Sequence, residues 1–64
     1  MKLAKRHDGK TVVIKALDSS QDAGAVITGI YRHVDKDPCF NIEAKGVLIR
    51  TLARDEWEVV EVIK

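Results

Sequence analysis

The chain reads as an all-β domain of five short strands, with a single short 3-10 turn before the last of them. Three observations predict this. β-branched residues gather in short runs, residues 39–45 alternate apolar and polar with the period of a half-buried strand, and polar or glycine-bearing segments separate the runs. The chain has 64 residues, enough for one domain spanning 1–64. A domain of this size buries only about 60% of the surface that its unfolded chain exposes, so its core is expected to be thin. Cys39 is the single cysteine and offers no intramolecular disulfide to reinforce that core.

The first strand is expected over 11–17, where Thr11, Val12, Val13 and Ile14 favour a pleated surface and Lys15 marks a wet face. Residues 18–24 are rich in Asp, Ser, Gln and Gly, whose side chains or backbone freedom favour turns, and they form a loop. The second strand, over 25–33, carries Val26, Ile27, Ile30 and Tyr31 around Gly29, a glycine suited to a bulge or a sharp bend. Asp35, Lys36, Asp37 and Pro38 make a hairpin tip, since proline donates no ladder hydrogen bond and holds Asp37 extended. Over 39–45, Phe40, Ile42 and Ala44 take one face and Asn41, Glu43 and Lys45 the other. Lys45 and Gly46 then reverse the chain into a fourth strand over 47–52. Residues 53–56 suit a 3-10 turn, and 57–64 close the chain with Trp57, Val59, Val60, Val62 and Ile63. The doubled valine leaves the inner face of this last strand undecided.

Five short strands, one bent by a glycine, suggest a small barrel, because closure removes the unpaired edges of an open sheet. Charge is divided along the chain: Lys2, Lys5, Arg6, Lys10 and Lys15 lie near the start, and Asp55, Glu56, Glu58 and Glu61 near the end. If the first and last strands are neighbours, these charges offset one another across the seam. No apolar run approaches the length of a membrane span, and no apolar segment follows the basic start, so a cytoplasmic protein is expected.

Several pieces of the chain are similar to a known family. They are Met1-Lys2-Leu3, Gly9 ahead of Val12, Val13 and Ile14, Asp37-Pro38 before an alternating strand, Gly46 with Leu48 and Arg50, and Glu56 before Val60, Glu61 and Val62. Together they resemble the FeoA family of small accessory proteins for ferrous-iron transport. The resemblance implies a five-stranded SH3-like small barrel and a non-enzymatic adaptor that docks on the cytoplasmic part of a membrane transporter. Residues 18–23 stand where that family inserts a short helical pair. Gly9-Lys10 opening the first strand also resembles the Sm-like small barrels, which implies RNA binding and ring assembly.

Candidate chemistry is sparse. His33, Asp35, Asp37 and Cys39 are metal-ligating types at period two, but the turn at 35–38 interrupts the strand that would align them, so no metal and no cofactor is expected. Cys39 with His33 or His7 is the one thiol-imidazole pairing available. A chain this small encloses no substrate pocket of its own, so no enzyme is expected. A protein partner is expected instead, met by the loops at 18–23 and 33–38, with Asp18, Gln21, Tyr31, His33, Asp35 and Lys36 as contact residues and a monomer or dimer as the free state. The alternative is nucleic-acid binding through Lys5, Arg6, Lys10 and Lys15.

Overall fold

The computed structural model describes residues 2–44 and 47–63. The strands are β1 (Thr11–Ala16), β2 (Val26–His33), β3 (Cys39–Ala44), β4 (Val47–Ala53) and β5 (Trp57–Ile63). Every expected strand is present, with ends within a residue of expectation. The second 3-10 turn, Arg54–Glu56, falls where one was expected; the first, Lys5–His7, had no signal in the sequence pattern. The reversal expected at Lys45 and Gly46, and the extension of the last strand to Lys64, lie outside the described residues.

All five strands form one antiparallel sheet in the order β4-β3-β2-β1-β5. The first and last strands are therefore neighbours as expected, and Lys15 stands opposite Glu58. Full closure is a different matter. β4 and β5 are the two edges of the sheet, and no ladder joins them among the described residues, so the all-β, five-stranded expectation is met by a curled sheet whose strand order stops short of a closed barrel.

The curl is a physical necessity. A flat sheet is a single layer, with its next layer about 10 Å away, and solvent reaches both faces when no helix covers them. This molecule measures 27 × 23 × 21 Å. Val12, Ile14, Tyr31, Phe40 and Ile42 are 0% exposed and Trp57 is 2% exposed. With no α-helix among the described residues, the sheet buries these side chains only by wrapping around them. Leu3, Ala16, Leu52 and Val59 complete the core, and Ile27 and Val62 pack against it.

Gly29 shows how tight the wrap is. A Cβ placed there would meet the Glu43 carbonyl oxygen at 2.6 Å and Ile42 Cγ1 at 3.1 Å. The β1–β2 ladder runs through Gly29 without a register shift, so of the bulge or sharp bend anticipated at this residue, no bulge is found on the β1 side. The glycine instead admits the backbone of β3, which is itself irregular between Ile42 and Glu43 where it pairs with β4. A second irregularity interrupts the β1–β5 ladder between Val13 and Ile14.

The loop between β1 and β2 spans the seam that the open sheet leaves. Leu17 donates its amide to the Glu56 carbonyl at 2.8 Å, and Asp22 pairs with Arg50 of β4 at 2.9 Å. Gly24, at φ +87, adopts the left-handed backbone that returns this loop to β2.

Candidate partner-binding site

Trp57 sits where the second 3-10 turn enters β5, with an open cleft on each side. The larger, about 540 Å³, has apolar walls from Leu3, Leu17, Pro38 and Trp57. Its rim carries both signs of charge, Lys2 and Arg54 against Asp37, Asp55 and Glu58. The smaller, about 380 Å³, lies under the β1–β2 loop and is bounded by Gln21, Asp22, Arg50 and Glu56.

Arg54 holds the larger cleft in shape. Its guanidinium donates to the Cys39 carbonyl at 2.8 Å, to the Tyr31 hydroxyl at 3.3 Å and to the Asp37 carboxylate, while its amide donates to the Pro38 carbonyl at 2.8 Å. The Asp37 carboxylate, and after it the Tyr31 hydroxyl, favours the charged guanidinium and raises its pKa further. The peptide bond between Asp37 and Pro38 is cis. One side chain thus fixes the β2–β3 tip against the turn that precedes Trp57.

The expected contact residues divide. Asp18 and Gln21 are exposed on the β1–β2 loop, and Gln21 lines the smaller cleft. Asp35 and Lys36 are exposed at the β2–β3 tip. His33 is half-buried, its Nδ1 lying 3.2 Å from the Tyr31 hydroxyl. Tyr31 is corrected: it is fully buried, stacks on Phe40 at 5.1 Å between ring centroids, and cannot touch a partner directly. It shares the inward face with Gly29 and His33, in alternation with Ile30 and Arg32, and stands opposite Ile42, where the aromatic body fills core and the hydroxyl reaches Arg54. Sequence reasoning missed Leu3, Leu17, Arg54 and Asp55 as cleft residues, since they come together only when the sheet curls.

The alternative basic set also divides. Lys5 and Arg6 are exposed on one turn, Lys10 follows them, and Arg32 reaches to within 3.9 Å of a Cβ placed on Gly9. Lys15 lies five residues beyond Lys10 along β1, opposite Glu58.

The thiol and the two imidazoles sit on different elements and faces. His33 stands opposite Phe40 in the β2–β3 ladder, so strand alternation directs Cys39 to the other side from His33. His7 is buried and packs edge-on to Tyr31, with ring centroids 6.2 Å apart. Its Nδ1 lies 3.1 Å from the Ala4 amide and 3.3 Å from the Ala4 carbonyl oxygen. Burial lowers its pKa, outweighing the Ala4 carbonyl, which favours the charged ring; nearby Arg6 and Lys10 lower it further. Of the four potential ligands at 33–39, His33 and Asp35 lie within 3.9 Å of one another, whereas Asp37 is bound by Arg54. Among the described residues no group of three or more His, Cys, Asp or Glu side chains is placed to hold a metal ion. No helix among them is long and apolar enough to cross a membrane.

Comparison with family models, with curated proteins and with solved structures finds no match to this chain.

Proposed function

We propose that this chain is a small non-catalytic adaptor, SH3-like in plan, that seats a segment of a protein partner in the cleft beside Trp57. The plan is supported by a four-strand meander, a 3-10 turn, and a fifth strand that returns beside the first. The observation that carries the binding role is the convergence of both anticipated loops on Trp57. Pro38 and Asp37 of one loop wall the larger cleft, and Gln21 and Asp22 of the other wall the smaller. An apolar floor with a few charged groups on a rigid frame is the usual composition of a recognition site. The FeoA resemblance supplies the partner class, the cytoplasmic part of a ferrous-iron transporter.

A second reading has its own observation: Lys5 and Arg6 are exposed on the first 3-10 turn, Lys10 follows it, and Arg32, paired with Glu43 at 3.4 Å, reaches Gly9, a basic surface that nucleic acid phosphates would fit. One experiment separates the two. Immobilised wild type, a cleft variant (Lys2→Glu with Asp55→Lys) and a basic-turn variant (Lys5→Glu with Arg6→Glu) are compared for capture of a transporter's cytoplasmic domain and of a single-stranded oligonucleotide. The adaptor reading expects capture of the domain to be lost only in the cleft variant. Oligonucleotide binding that falls steeply with salt and disappears only in the basic-turn variant contradicts it.

A further inference from the structure

β5 is an edge strand whose outer margin is only partly covered. Glu58 has two strand partners: Lys15 of β1 on one side, and Lys2 in an isolated antiparallel bridge. A strand residue has one neighbour on each side, so the Lys2 segment lies along the margin facing away from β1. There the chain itself seats an extended segment with a lysine opposite a glutamate and the next side chain, Leu3, buried at 5% exposure. Beyond that bridge, no strand of the described residues pairs with the margin.

The uncovered stretch, residues 60–63, is both apolar and acidic. Val60 is 59% exposed, Ile63 is 42% exposed and Glu61 is exposed. The β1 register places Glu58, Glu61 and Ile63 on one face, opposite Lys15, Val13 and Thr11. Residues 57–63 contain neither lysine nor proline, two common blockers of an edge strand. The register shift beside Val60 twists the strand but leaves its far end open.

We propose that residues 60–63 accept an extended segment of a partner protein by strand addition, with Lys or Arg opposite Glu61 and a branched apolar residue opposite Ile63. Direct neighbours across a ladder share a face, so the two determinants are two positions apart in the partner. Charge selects this occupant over a second copy. Antiparallel self-pairing of residues 60–63 would set Glu61 against the Glu61 or the Ile63 of the second chain, and neither supplies the cation that Lys2 places opposite Glu58 within this chain. None of residues 60–63 lines either cleft beside Trp57, so this surface is independent of the adaptor reading.

The test titrates isotope-labelled full chain with synthetic eight-residue peptides alternating Lys with Val, Glu with Val, and Lys with Ser, and follows the backbone amides by NMR. The Lys-Val peptide should shift the amides of residues 60–63 and protect those that face away from β1, whereas the Lys-Ser peptide of equal charge should leave the outward-facing ones unprotected. In Glu61→Lys, affinity for the Lys-Val peptide should fall roughly tenfold and the Glu-Val peptide should become the better ligand. The proposal is overturned by absence of protection at millimolar peptide, by an unchanged preference in Glu61→Lys, or by perturbation confined to the Trp57 clefts. Protection of these amides that rises with protein concentration alone would also overturn it, since a second copy would then be the occupant.

Discussion

Gly29 and His7 are the residues at which the fold tolerates least change, for different reasons. At Gly29 the missing Cβ lets the β3 backbone approach. A Cβ 2.6 Å from a carbonyl oxygen cannot be accommodated by moving a side chain, so Gly29→Ala forces the strands apart. The expected loss is about 1–3 kcal/mol, the usual range for overpacking, and urea denaturation measures it directly. Gly24→Ala meets no neighbour within 4 Å and is strained only by its positive φ, so it should cost less. His7 gives a pH signature. Its folded pKa lies below the ordinary value of 6.5, so around and below that value the unfolded chain binds the extra proton. The stability it confers is therefore complete above 6.5 and is lost as pH falls through and below it. Denaturation midpoints across this range should decline toward acid in wild type and decline less in His7→Gln.

At the scale of elements, much was legible and the misses have physical causes. Strand identity came through because β-branched runs and period-two alternation are local signals. Phe40 and Ile42 are buried as their alternation required. The inner face of β5 was not legible, since Val59 and Val60 are adjacent and a strict period of two cannot bury Trp57, Val59 and Val62 together. The register shift resolves this by letting Val60 bulge outward, after which Glu61 faces out and Val62 faces in. Substitution tests that phase: Val60→Lys should change stability by no more than about 0.5 kcal/mol, whereas Val59→Lys should unfold much of the protein in the same thermal scan. The first 3-10 turn was illegible because three residues of Lys-Arg-His carry no periodic pattern. Its buried His7 is held by Ala4 and Tyr31, contacts that exist only in the folded chain.

The whole molecule solves a coverage problem: one sheet, with no α-helix among the described residues, must enclose its own core. Curling brings β1, β2 and β3 to the centre and leaves β4 and β5 as edges. The β1–β2 loop crosses the seam through Leu17 to Glu56 and Asp22 to Arg50. The clefts beside Trp57 follow from that geometry, because the seam is bridged by a loop and a short turn that do not fill it. Cleft residues such as Leu3, Leu17 and Arg54 come from three separate parts of the chain, so no local pattern could have grouped them.

Native-state amide hydrogen exchange in dilute solution tests this architecture most directly. A curled sheet with open edges predicts strong protection throughout β1, β2 and β3, which are flanked by strands on both sides. It predicts an alternation of protected and fast-exchanging amides in the stretch of β5 beyond the Lys2 bridge and along β4. Uniform protection of both edge strands at every concentration would mean that β4 and β5 are joined, and would contradict the account.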